Sequence, residues 1–298
     1  MTGFVEMTSA IVAHWNTAAA VLHLGTAIAQ VVILEDNEMR GIPLTSQYSK
    51  WERGACTPSW IGRQFTTTDN ETYCIFTDTS DTDISLNLGQ LVIAFHLLSF
   101  AFQSVNSLNY YCFGHEGWYH KMVLTRGFNK LRFLEYAFSA TVMLVTIALL
   151  NGVTDIYLLT CLSALTAGCM ICGLVAEHLM AENPRIGFPT WPAAILHFLG
   201  WVLIIAAYAV PMAAYYDSAE ASKVSPPEFV TVIVWSMLGL FMCFGLVQFS
   251  EILTGFLRPD ACEPYWHPAA KEFVYVTLSL VAKQILGWTL FVNAIYMP

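Results

Sequence analysis

Long apolar runs separated by polar connections divide the chain into seven stretches, at 9–34, 85–112, 123–150, 153–180, 190–216, 227–257 and 268–296. Each is long enough to cross bilayer hydrocarbon, for which a helix needs about 20 residues. The pattern therefore predicts an all-α membrane protein, a seven-transmembrane helix bundle in a lipid bilayer, with residues 1–298 forming one domain. Ser225-Pro226-Pro227-Glu228 reads as a helix entry, with a capping serine, a proline at the first helical position and a glutamate behind it. Thr190-Trp191-Pro192 and His267-Pro268 read as similar entries, Pro259 closes span six, and Pro211 is expected to bend span five. The one long connection, residues 35–84, contains two runs, 47–53 and 71–77, that mix aromatic or β-branched residues with turn formers. They predict a small β-hairpin outside the membrane.

Composition agrees: 56% of the 298 residues are hydrophobic and 12% are charged, against roughly 25% charged in a soluble domain. The net charge of −9 comes largely from carboxylates between Glu35 and Asp83. No basic patch points to nucleic acid. The first eight residues lack a positive n-region and the apolar run after them is too long for a signal peptide, so the first span is expected to stay. With the N-terminus cytoplasmic, the short inner connections hold Lys121, Arg126, Lys130, Arg185, Arg258 and Lys271, and the short outer ones only Lys223. This positive-inside bias makes the C-terminus extracellular and the location a cell membrane. The long connection then lies outside. There Cys56 and Cys74 are expected to form a disulfide, and Asn70-Glu71-Thr72 is a sequon that either carries a sugar or is fortuitous. Cys169 and Cys172 form a C-x-x-C on an apolar helix, where two small core fillers are the simpler reading.

The chemistry lies in the few ionisable residues inside the spans: His23, His96, Arg132, Glu135, His197 and Lys283, with Glu251 towards the end of span six. Each has to be compensated in a bilayer, so each is a functional candidate. Glu135 is the natural partner of Lys283, and Arg132, three residues before it, shares its face. Lys283 has three readings: half of a structural ion pair, a proton or substrate site of a transporter, or the covalent attachment point of an aldehyde cofactor. A dry pocket favours the neutral amine, the nucleophile such an attachment needs. Glu135 can balance the charge of the resulting protonated Schiff base, and Ser279, one turn before Lys283, can hydrogen-bond within the pair. Tyr136, Trp201, Trp235, Phe244 and Trp288 can wall an extended polyene, although ordinary helix packing accounts for each of them singly.

These residues resemble the rhodopsins, which centre a lysine in the last of seven spans, and more narrowly the heliorhodopsins. The resemblance is carried by Arg132-Phe133-Leu134-Glu135-Tyr136 with Ser139-Ala140, by Ser279-Leu280-Val281-Ala282-Lys283 with Trp288, and by His23 and His96 near the counterion. It implies all-trans retinal on Lys283, Glu135 as the single counterion, a pocket including Ser279, Tyr136, Ser139, Trp201 and Trp235, and a polar, proton-accepting network of His23, His96 and Arg132. It also implies an inverted orientation, a homodimer and an unidentified signalling partner. The chain departs from pump rhodopsins: Ser279 stands where they carry an aspartate, and Thr146 stands eleven residues past Glu135, where a proton pump has a carboxylate. The expected function is a non-enzymatic, slowly signalling photoreceptor; the alternative is a light-driven or light-gated proton transporter using Glu251, His197 and waters. A retinal-free transporter built on the Lys283–Glu135 pair stands as a third reading.

Overall fold

A computed structural model describes residues 2–36, 41–53, 63–66, 72–186, 189–222, 226–258 and 267–295. Its seven long helices are α1 (Thr2–Asp36), α2 (Leu88–Phe113), α3 (Lys130–Leu150), α4 (Ile156–Ile186), α5 (Trp191–Ser222), α6 (Glu228–Leu257) and α7 (Pro268–Leu290), and all seven are long and apolar enough to span a membrane. Each packs on its sequence neighbours, and α7 returns to α1. The third helix is central: 67% of its apolar window is buried, against 22% for α6. Residues on α3 therefore face the interior on several sides, which is where Glu135 lies.

Local chemistry sets the helix ends. Asn87 caps α2 by accepting from the Gln90 amide at 3.1 Å, and Asn129 caps α3 by accepting from the Arg132 amide at 3.1 Å. Pro268 occupies the first position of α7, after His267. The third span starts later than the apolar run from residue 123 suggests. A π-helical turn, Tyr119–Thr125, is followed by Gly127 at φ 75°, and only then does Asn129 begin a new helix. For α6 the cap position is Pro227, which has no capping side chain. Ser225, expected there, lies outside the described residues, as does Pro259.

Between α1 and α2 the chain forms β1 (Ile42–Arg53), β2 (Arg63–Thr66) and β3 (Thr72–Leu86), an antiparallel sheet in the order β1-β3-β2. The expected hairpin is present and longer than expected, with Gln47 opposite Thr79 and Arg53 opposite Tyr73. Cys74 lies in β3 opposite Glu52 and Gln64. Cys56 and Asn70, and with them the expected disulfide and sequon, lie outside the described residues. The sheet is fastened to the turn between α3 and α4: the Thr45 amide donates to Thr154 O at 3.0 Å and the Gln47 amide to Asp155 Oδ2 at 2.9 Å. Asp155 also accepts from the Leu158 amide at 2.7 Å, so one carboxylate caps α4 and holds β1.

The bundle is polarised along its length. The end nearer the sheet is filled by a large apolar cluster that includes Leu88, Val92, Leu144, Ile147, Met237 and Leu286. The opposite end buries charge.

Candidate functional site

The face of α7 that carries Tyr275, Ser279, Lys283 and Leu286 turns inward, and Lys283 is only 2% exposed. Its Nζ donates to Glu135 Oε1 at 2.9 Å and to Ser279 Oγ at 2.6 Å. Ser99 Oγ on α2 donates to the same Glu135 oxygen at 2.6 Å. Three helices thus close on one buried ion pair, and the hydrogen bonds offset part of the cost of removing both charges from water. Beside it, His23 and His96 meet Nδ1 to Nδ1 at 2.9 Å across the α1–α2 contact, and both are fully buried. His96 precedes Ser99 by three residues on the same inward face of α2.

The amine opens on a cleft enclosing about 850 Å³ free of atoms, its open mouth included. Lys283, Ser279, Tyr136 and Ser139 line it, with aromatic walls from Trp201 and Phe244. The Tyr136 ring lies 5.3 Å from Lys283 Nζ and its hydroxyl donates to Tyr275 O at 3.2 Å. Such a cleft, apolar and with one reactive amine, suits a ligand both long and apolar that binds the amine covalently. It is widened by glycine: a Cβ on Gly245 would stand 2.4 Å from Trp201 Cζ2, and one on Gly173 would stand 2.6 Å from Phe133 Cε1.

The sequence matches the family model described as heliorhodopsin over residues 12–295. The chain belongs to the heliorhodopsin family. Heliorhodopsins bind retinal and are photoreceptors, not enzymes, so this is a light-absorbing membrane protein with seven spans. A comparison with curated proteins returned no match.

In this heliorhodopsin two of the expected pocket aromatics face elsewhere. Trp235 is 46% exposed and does not line the cleft. It precedes Phe244 by nine positions, which at about 100° per residue puts it on the opposite face of α6. Trp288 is also partly exposed, its indole donating to Gln284 Oε1 at 2.9 Å one turn back. Arg132 is buried but stands apart from the Lys283 network. Its guanidinium forks between Glu177 of α4 and Glu272 of α7 and lies 3.9 Å over the Tyr275 ring.

Sequence reasoning missed this second site. Asn129 ties it together, its amide donating to Glu177 Oε1 at 3.0 Å and its side chain to Glu272 Oε1 at 2.7 Å. Lys271, counted above as an inner-loop charge, is 1% exposed and donates to both Glu251 oxygens at 2.9 and 3.0 Å. The available signal was Glu177, an unremarked carboxylate within span four. Ser99 was missed too, although it follows His96 by a helical turn.

Proposed function

We propose that Lys283 carries all-trans retinal as a protonated Schiff base and that the protein is a light sensor acting through slow conformational change. The observation that supports this most is a buried lysine amine paired with one carboxylate, 2.9 Å away, at the wall of an apolar cleft. Bound there, retinal supplies visible absorption and a light-driven isomerisation. The chain does the rest. Glu135 balances the positive charge, and Ser99 and Ser279 fix the carboxylate and the nitrogen relative to each other. Two unit charges about 4 Å apart attract by about 4 kcal/mol at an effective dielectric near 20. Displacing one from the other therefore gives both a proton and the helices a reason to move. His23 and His96 are the acceptors beside the pair: one Nδ1 already donates to the other, so an added proton is taken at a free Nε2 and its charge is shared across the contact. Trp201, Phe244, Tyr136 and Ser139 hold the ligand's length.

The N-terminus is cytoplasmic and the C-terminus extracellular in this reading, on the charge bias of the short connections. Lys271, being buried, drops out of that count, and Lys121, Arg126 and Lys130 still carry it. The signalling species is a homodimer facing an unidentified partner.

No observation favours the transporter reading. Glu251 is bound by Lys271, and both His197 nitrogens are engaged, Nδ1 with Gln248 Oε1 at 3.0 Å and Nε2 with Trp201 Nε1 at 2.8 Å. Light on voltage-clamped cells expressing the protein is expected to give no sustained photocurrent; a steady current would replace the sensor by a transporter. Glu135→Gln is expected to keep the protein coloured and move its absorption to longer wavelength, because the anion that stabilises the ground-state charge is gone. A spectrum that does not move would remove Glu135 from its role.

A further inference from the structure

The contact between α1 and α2 contains polar residues at regular spacing. On α1, Ser9, Asn16, His23 and Gln30 recur every seven residues, and each is at most 1% exposed. On α2, His96, Ser99, Gln103, Asn106 and Ser107 fall on one helical face, each at most 5% exposed. The helices run antiparallel with His23 opposite His96, so equal rise puts Asn16 level with Gln103, one step further from the sheet. A seam this polar is not needed to hold two helices together, since apolar side chains would pack as well.

Many of its polar atoms have no protein partner. Ser9 Oγ, Asn16 Oδ1, Gln103 Oε1, Asn106 Oδ1 and Ser107 Oγ lack one among the described residues, and so do Nε2 of both histidines. Leaving a buried polar atom unbonded is costly, and such atoms are ordinarily satisfied by ordered water. Asn16 Nδ2 also donates to Tyr119 Oη at 2.7 Å, which carries the seam's hydrogen bonds into the connection after α2. Towards the sheet, among the described residues, Gln30 alone continues the row, and its two amide atoms likewise have no partner. A Cβ on Gly287 would lie 2.8 Å from His96 Nε2 and 3.0 Å from Gln30 Nε2, and beyond them the apolar cluster of Ala27, Leu88, Val92 and Leu290 closes the way.

We propose that the α1–α2 seam is a hydrated proton-exchange route joining the His23–His96 pair to one face of the membrane only, the face at which α1 begins. Protons pass by exchange along Gln103, Asn106, Asn16 and intervening waters. Each proton that leaves the pair is replaced from the same side, so no net charge crosses. The light-driven use of this route rests on the reading that the pair accepts a proton; the route itself does not.

The test is hydrogen–deuterium exchange of the imidazole N–H groups in the dark, by solid-state NMR of histidine-labelled full-length protein in lipid, with and without retinal. Gln103→Leu and, independently, Asn106→Leu are expected to slow exchange at the pair about tenfold, which is about 1.4 kcal/mol in the barrier. Gln30→Leu is expected to leave it unchanged, and Gln103→Asn to restore part of the rate. Wild-type exchange rates in both Gln103→Leu and Asn106→Leu, or slowing in Gln30→Leu alone, would overturn the route. Fast dark exchange that Gln103→Leu slows, together with no light-induced change in the protonation of either imidazole in the retinal-loaded protein, would leave the seam standing and remove the histidines as photochemical acceptors.

Discussion

Retinal added to the Lys283→Ala protein is expected to leave it colourless. Among the described residues no other lysine lines the cleft: the second buried one, Lys271, is held by Glu251. The variant loses the cation from a buried pair and keeps Glu135 with the Ser99 hydroxyl as its hydrogen-bond donor. A lone buried carboxylate can take up a proton and become neutral, so the fold is expected to survive. The result is therefore a folded, monodisperse protein without a visible band, while Glu135→Gln, prepared in parallel, is coloured. A visible band in Lys283→Ala, or none in the wild type after prolonged incubation with retinal, would remove the covalent tether and return the pair to the transporter or structural readings.

The second large effect lies at the other charged site. Arg132→Gln is expected to lower the unfolding midpoint by roughly 10 °C, on the scale of the 3–5 kcal/mol that follows removal of one partner from a buried ion cluster. Arg132 faces two carboxylates at once, and Tyr275 covers the guanidinium, so the variant leaves Glu177 and Glu272 without their shared cation. Lys271 cannot replace it: it reaches Glu177 only at 3.8 Å while committed to Glu251. Arg132→Lys is expected to recover part of the loss, since one ammonium cannot copy the planar fork. Arg132→Gln with Glu177→Gln is expected to recover more than either single change predicts by addition. Thermal unfolding followed by circular dichroism checks both, and a midpoint within a degree or two of wild type would mean the cluster stabilises little. The colour of the retinal-loaded variant is expected to shift far less than that of Glu135→Gln, because Arg132 bonds to neither member of the Lys283 pair.

Much of this was legible because a bilayer simplifies the reading. Apolar runs had to be helices, and a lysine in the seventh had to find an anion, which picked out Glu135. Ser279, four residues before Lys283, followed from helical geometry. Arg132 was misjudged for a definite reason: spacing fixes which face of a helix a residue occupies but not which neighbouring helix its side chain meets. It shares an inward face with Glu135 yet reaches α4 and α7 at another level. Glu177, Lys271 and Glu272 lie near span ends, where charge is cheap in water and so raises no alarm; packing against α3 makes them core residues. Trp235 was chosen for its ring alone, and the rotation of α6 that turns it away depends on contacts no single helix encodes. The unpartnered seam was visible as a seven-residue recurrence on α1, but its meaning needed α2 alongside.

The attachment of β1 to the turn at Thr154 and Asp155 has a thermodynamic corollary. The same turn ends the helix that holds Glu135, so the sheet and that carboxylate sit on one continuous rod. Suppose a ligand on the sheet, such as an antibody fragment, prefers one position of that turn. It must then bias the dark and illuminated forms by the same factor by which illumination changes its own affinity. The sheet is thereby a handle: grip it, and the balance at the centre of the bundle answers.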